Sequence, residues 1–226
     1  MLYILDTANL EAIKHCNEYY PLAGVTTNPT IISKEKADFW KLVKGIREII
    51  GQEKMLHVQT IQKKAEKIIE EAQLLKSELG GDFYVKIPIS EEGLKACMQL
   101  KRLGIGVTMT AIFTPAQALL AARAGASFVA PYVNRLDNIL GNGESLVAEI
   151  VKQLRSYNMD CKVIAASFKN AQQVHECASV GCDIVTVSDD ILKTLVLHPM
   201  TDAAVAGFDK DWQDAYNGKT ILELDI

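Results

Sequence analysis

The sequence predicts an α/β fold: a single-domain (β/α)8 TIM barrel with a C-terminal helical extension. Three observations predict it. Short apolar runs alternate with amphipathic segments along the 226 residues, and eight such runs stand out. Gly104, Gly125 and Gly181 each stand just before a strand, where the C′ position of the preceding helix favours glycine. Eight β–α units in a chain just above about 200 residues leave room for few insertions. A doubly wound open sheet is the weaker alternative, because no G-x-G-x-x-G or Walker A loop follows any strand.

Taken in order, the expected strands are Tyr3–Asp6, Gly24–Asn28, Met55–Thr60, Phe83–Pro88, Ile105–Thr110, Ser127–Tyr132, Lys162–Ser167 and Asp183–Ser188. Between them lie helical segments of about three turns, such as Lys64–Leu79 and Glu91–Leu103, whose apolar residues recur at the helical period. No Pro- or Ser-rich linker and no charge block divides the chain, so residues 1–226 read as one domain. Residues 199–226 form its C-terminal helix and tail. Helix is expected over Thr201–Tyr216, then a polar stop at Asn217-Gly218 and a tail over Lys219–Ile226. That end exceeds what barrel closure needs, and its Trp212, Tyr216, Ile221 and Leu222 suit packing on the barrel itself or on a neighbouring subunit.

Composition narrows the function. A net charge of -4 and a pI near 5.6 lack the basic excess of a nucleic-acid binder. Five cysteines (Cys16, Cys97, Cys161, Cys177, Cys182) are scattered without a C-x-x-C pair, which argues for buried thiols over disulfides or structural zinc. His15, His57, His175 and His198 occur singly, without clustered metal ligands, and His57 reads as a core or rim residue. The opening run Met1–Leu5 is too short for a signal peptide and no run approaches a membrane span. A cytoplasmic protein without membrane or nucleic-acid partners is expected.

One strand carries an anomaly. Phe83-Tyr84-Val85-Lys86-Ile87-Pro88 follows the turn Gly80-Gly81-Asp82 and reads as buried on both faces, yet holds a lysine near its carboxyl end. Alternation puts Tyr84, Lys86 and Pro88 on one face. Beside a low-dielectric interior, desolvation brings a lysine from about 10.4 toward roughly 7–8. A partly neutral amine is a nucleophile toward carbonyls.

Other strands end the same way. Asp6, Thr26, Asn28, Gln59, Lys86, Thr110, Tyr132 and Ser167 interrupt apolar runs near the ends of seven different strands. In a parallel barrel those ends share the C-terminal mouth, where barrel enzymes carry their sites. Taken alone, Thr26 and Thr110 read equally well as caps of the next helix, and Asp6 with Lys86 as a buried ion pair without chemistry.

Four separated segments make a resemblance. Gly24-Val25-Thr26-Thr27-Asn28-Pro29-Thr30, Val85-Lys86-Ile87-Pro88, Ala130-Pro131-Tyr132-Val133-Asn134-Arg135 and Ala166-Ser167-Phe168-Lys169 together resemble the transaldolase family, in its small fructose-6-phosphate aldolase branch. The likeness spans essentially the whole chain, including Asp209–Tyr216. It implies a cofactor-free class I aldolase in which Lys86 forms the Schiff base with a sugar-phosphate substrate. It further implies that Asp6 takes the proton from the substrate's C4 hydroxyl, and that Gln59, Thr110 and Tyr132 hold a catalytic water. Asn28 would bind substrate hydroxyls with Thr26 behind it, and Arg135, Ser167 and Lys169 would hold the phosphate. The types suit that task, since arginine offers a fork of donors and a helix entered after Ser167 would add a favourable dipole. The resemblance also implies a homo-oligomer, a pentamer or a decamer of two pentamers.

Two residues separate the branches. Transaldolases proper resemble this chain but carry glutamate in place of Gln59 and phenylalanine in place of Tyr132. Reversible cleavage of fructose 6-phosphate to dihydroxyacetone and glyceraldehyde 3-phosphate is therefore the leading expectation. Transfer of a dihydroxyacetone unit between sugar phosphates is the alternative, and a non-catalytic sugar-phosphate-binding barrel the remote one. Val187-Ser188-Asp189-Asp190 departs from the family, which has a proline after the last strand, so the donor pocket and natural substrate stay open.

Overall fold

The structure, a computed structural model, describes residues 1–224. Asp225 and Ile226, the end of the expected tail, lie outside the described residues. The chain separates into two compact units, Met1–Leu192 and Lys193–Ile226.

The first unit is a closed parallel barrel whose strands follow in sequence order from β1 to β8 and close through β1 on β8. The strands are β1 (Leu2–Asp6), β2 (Leu22–Thr26), β3 (Met55–Gln59), β4 (Phe83–Pro88), β5 (Gly106–Ile112), β6 (Phe128–Pro131), β7 (Lys162–Ala165) and β8 (Ile184–Val187). The helices are α1 (Leu10–Tyr19), α2 (Pro29–Lys34), α3 (Phe39–Ile50), α4 (Ala65–Leu79), α5 (Glu91–Arg102), α6 (Pro115–Arg123), α7 (Val133–Asp137), α8 (Gly143–Ser156), α9 (Ala171–Ser179) and α10 (Asp189–Thr194). Closure excludes the open doubly wound sheet. Gly104, Gly125 and Gly181 have φ of 70°, 98° and 78°, the left-handed conformation that ends a helix at low cost.

Ile4, Met55, Phe128, Ala130, Ile164 and Ile184 pack as a core from five strands, with Ala23 and Tyr84 against it. Tyr84 fits because Gly106 pairs with it across β4 and β5, and a Cβ on Gly106 would stand 2.4 Å from the Tyr84 ring. Two residues on from Met55, Tyr84 and Ile184, toward the carboxyl ends, the side chains turn polar. Lys86, Thr108, Thr26, His57 and Thr186 are all buried there. A barrel of this size is filled by side chains, so a polar layer must find its hydrogen bonds within the protein.

Below this layer the chain is stapled at the opposite end. Arg47 of α3, only 5% exposed, donates to the carbonyls of Leu79, Gly51, Lys54, Gly80 and Asp82 at 2.8–3.4 Å. It therefore satisfies the closing turns of α3 and α4 and the start of β4. All five cysteines are buried.

In the second unit, α11 (Pro199–Tyr216) begins at Pro199 and ends at Asn217 in a left-handed cap. A single 3-10 turn follows at Ile221–Glu223. Among the described residues, no helix is long and apolar enough to cross a membrane.

Candidate active site

The C-terminal mouth of the barrel gathers the expected residues, but each by its own local device. Lys86 stands in β4 opposite Gln59 of β3 and Thr108 of β5, and is 4% exposed. Its Nζ donates to the backbone carbonyl of Thr27 at 2.9 Å. Burial holds the Lys86 amine below the ordinary lysine range, and Asp6 opposes that shift. Among the described residues no ion pair joins Lys86 to Asp6, so the arrangement is not a buried salt bridge. Ion pairs do form on the surface, at Lys44–Glu78, Lys64–Glu92, Lys67–Glu70 and Lys95–Glu66.

Asp6 ends β1, half-buried, and accepts from Thr26 Oγ1 at 2.6 Å. Burial pushes its carboxyl above the ordinary range, while Lys86, the Thr26 hydroxyl and Arg135 pull it back. Lys86 favours the charged form of Asp6, but desolvation is the larger effect. Thr26 does not cap a helix, since its hydroxyl also lies 2.6 Å from Thr186 Oγ1 of β8.

Asn28 falls two residues beyond β2. Its side-chain oxygen accepts from Ile31 N at 3.0 Å, making it the N-cap of α2, with Pro29 next in the first turn. Asn28 thus caps a helix, and its amide nitrogen remains the group with which it could reach a ligand.

Thr110 and Tyr132 do meet: Thr110 Oγ1 donates to Tyr132 Oη at 3.1 Å. A bulge in β5 helps, because Ala111 takes φ 57° where the register with β6 shifts after Thr110. Tyr132 lies past β6 as the residue preceding α7, bridged to Ala166. The Arg135 guanidinium of α7 stacks 4.7 Å above the Tyr132 ring. Gln59, at the end of β3, lines a mostly apolar cavity of about 400 Å³ together with Asn28, Phe39, Trp40, Ile61 and Leu74. Lys86 does not line that cavity, and the convergence of polar side chains marks the site better than the cavity does.

At the far side, Ser167 takes φ 66°, strained for a non-glycine residue, and its carbonyl accepts from Asn134 N at 2.8 Å. Lys169 is exposed. The helix does not start directly after Ser167 as expected. α9 begins at Ala171 behind its cap Asn170, and the Lys169 N–H is taken by Gln173 Oε1 at 2.8 Å. Gln173 Nε2 also donates to Asn134 and Asp137, tying this loop to α7.

Two neighbours escaped the sequence reading. Thr27 acts through its backbone carbonyl, which no residue type announces. Thr186 was legible, since in Ile184-Val185-Thr186-Val187 it shares parity with the core residue Ile184. His57, fully buried, shares its Nδ1 hydrogen bond with Thr108 Oγ1 at 2.8 Å and stacks on Tyr84, confirming the core reading. Its Nε2 has no partner among the described residues.

Fold and mouth together define a (β/α)8 barrel whose C-terminal mouth gathers polar side chains around a buried lysine that has no ion-pair partner among the described residues. The sequence matches the family described as Transaldolase/Fructose-6-phosphate aldolase over residues 3–223, and the chain belongs to that family. A probable transaldolase of Aquifex aeolicus is 44% identical over 213 residues, covering 94% of this chain and 97% of that one. A probable fructose-6-phosphate aldolase of Streptococcus pneumoniae is 38% identical over 222 residues, covering 98% of this chain and 100% of the other. Such relatives make this an aldolase-type enzyme. Among solved structures, one described as native KDPGal is similar with a TM-score of 0.56 at 16% identity, covering 84% of this chain and 82% of that one, a likeness of fold.

Proposed function

We propose that the protein is a class I aldolase that reversibly cleaves fructose 6-phosphate to dihydroxyacetone and glyceraldehyde 3-phosphate. The observation that carries this reading is the environment of Lys86: buried, without an ion-pair partner, and oriented by the Thr27 carbonyl. One N–H held by that carbonyl leaves the lone pair of a neutral amine to attack the ketone carbon. Loss of water from the carbinolamine gives an iminium. Asp6 then takes the C4 hydroxyl proton, the C3–C4 bond breaks, and its electrons pass into the iminium to leave an enamine on Lys86. Protonation at C3 and hydrolysis release dihydroxyacetone.

Gln59, Thr110 and Tyr132 are assigned to the water used in dehydration and hydrolysis. Glutamine cannot titrate, so Tyr132, coupled to Thr110, is the proton donor and acceptor of that group. Asn28 Nδ2 is assigned to a substrate hydroxyl, with Thr26 behind it on Asp6. Arg135, Ser167 and Lys169 are assigned to the phosphate, Arg135 through its fork of donors and Lys169 through its ammonium. A cytoplasmic homo-oligomer belongs to the same proposal, and deletion of 219–226 should lower the sedimentation mass if the tail supports assembly.

Transfer of the dihydroxyacetone unit is the second reading, favoured by relatives such as the Aquifex aeolicus protein. Gln59 and Tyr132, where transaldolases have glutamate and phenylalanine, favour the lyase. The two are separated by assaying free dihydroxyacetone from fructose 6-phosphate with no acceptor aldose. Release supports the aldolase. Turnover only after adding erythrose 4-phosphate overturns it in favour of the transferase.

A further inference from the structure

We propose that Thr186 is a positioning residue of this site, fixing through Thr26 a hydroxyl chain that ends on the Asp6 carboxylate. The proposal rests on the reading of Asp6 as the base of aldol cleavage. β1, which carries Asp6, is flanked by β2 and β8, and each neighbour contributes one buried threonine to the same point. Thr26 Oγ1 is 2.6 Å from Asp6 Oδ1 and 2.6 Å from Thr186 Oγ1. The two threonines are 1% and 2% exposed, so bulk water does not compete for their hydroxyls.

Proton counting gives the chain a direction. A hydroxyl has one proton to donate. Thr26 gives its proton to the carboxylate, so its contact with Thr186 is a hydrogen bond only if Thr186 is the donor. The order is therefore Thr186 to Thr26 to Asp6, and each donation polarises the next. Hydrogen bonds aimed at a carboxylate favour its charged form. That is the form a base requires, at a position where burial works against it.

Other charges facing Asp6 are few. Lys86, from β4, and Arg135, from α7, favour the carboxylate too. The flanking strands, Leu22–Thr26 and Ile184–Val187, contribute no titratable side chain. When Lys86 becomes neutral to attack the ketone, its support for the carboxylate is withdrawn while the hydroxyl chain remains. Without the Thr186 hydroxyl, Thr26 keeps its proton but loses the donor that holds its rotamer and polarises it.

Thr186→Val keeps the side chain's shape and removes the hydroxyl; Thr186→Ala removes it without a branched apolar group; Thr186→Ser restores it. Two quantities are read in each: the Asp6 titration in the free protein by carboxyl ¹³C NMR, assigned with Asp6→Asn, and the acid limb of kcat/KM for fructose 6-phosphate cleavage. Both midpoints should rise by about one pH unit in Thr186→Val and Thr186→Ala, roughly tenfold in activity on that limb, and return in Thr186→Ser. An Asp6 midpoint equal to that of the unsubstituted protein in either hydroxyl-free variant overturns the proposal. If the unsubstituted protein does not cleave fructose 6-phosphate, the functional reading fails, and the NMR midpoint still decides the role of Thr186.

Discussion

Lys86 Nζ and the carbonyl oxygen of Thr27 lie 2.9 Å apart, although 59 residues separate them in sequence. Thr27 is itself pinned, its N–H and hydroxyl both donating to His57 O at 2.9 and 3.2 Å. The amine is thus aimed by backbone rather than by a counter-charge. Asp6 is the charge that raises the Lys86 pKa against burial. The rate of iminium formation should therefore climb with pH and level off below 10.5, the ordinary lysine value. Asp6→Asn should move that plateau to lower pH, as read by stopped-flow trapping across pH. A plateau unmoved in Asp6→Asn would show that the two groups do not interact.

Arg47 is a structural counterpart at the other end of the barrel. Its guanidinium serves five carbonyls at once, which neither lysine nor methionine can do. Arg47→Met should cost on the order of 3 kcal/mol, because several buried carbonyls lose their donor together. Urea denaturation checks this through a lower midpoint at unchanged slope.

His57 gives the stability a pH dependence. Burial, then the charges of Lys86 and Arg47, hold its pKa at about 3 against an ordinary 6.5. As pH falls below 6.5 the unfolded chain takes the proton and the folded chain does not. Stability present above 6.5 should thus be lost as pH falls toward 3, by up to about 1.4 kcal/mol per unit. His57→Gln should flatten that part of the curve in denaturation measured from pH 7 to 4, and an unchanged slope would place the acid sensitivity elsewhere.

Arg135 sits where its charge meets both Tyr132 and solvent. A charged hydrogen bond to phosphate contributes about 1.5–3 kcal/mol. Arg135→Gln should raise KM for fructose 6-phosphate by about 10–100-fold, with kcat falling by less than about tenfold. Steady-state kinetics separate this from a role in chemistry alone, which would lower kcat at constant KM.

Much of the barrel was legible because each strand needs a buried apolar run, and because Gly104, Gly125 and Gly181 punctuate the chain between α5 and β5, α6 and β6, and α9 and β8. Phe83–Pro88 forms over the residues expected of it, and Lys86 could be singled out because a charge in such a run is costly. Boundaries shifted where side chains compete with the ladder. β2 runs over Leu22–Thr26 instead of Gly24–Asn28, since Asn28 spends its side chain on capping α2 and Pro29 has no N–H to give. The helix starts later than expected after Ser167, because Ser167 takes a left-handed φ and Asn170 supplies the extended cap residue. Pairings across the barrel, such as Thr26 with Thr186 or Thr110 with Tyr132, depend on strand register and on the Ala111 bulge, which single-strand patterns do not encode.

The central assignment is Lys86 as the Schiff-base nucleophile, and borohydride reduction during turnover tests it most directly. With saturating fructose 6-phosphate, peptide mass spectrometry should find a stable adduct on Lys86, absent without substrate and absent in Lys86→Met. A protein that remains unmodified, or one trapped at a different lysine, would contradict the assignment.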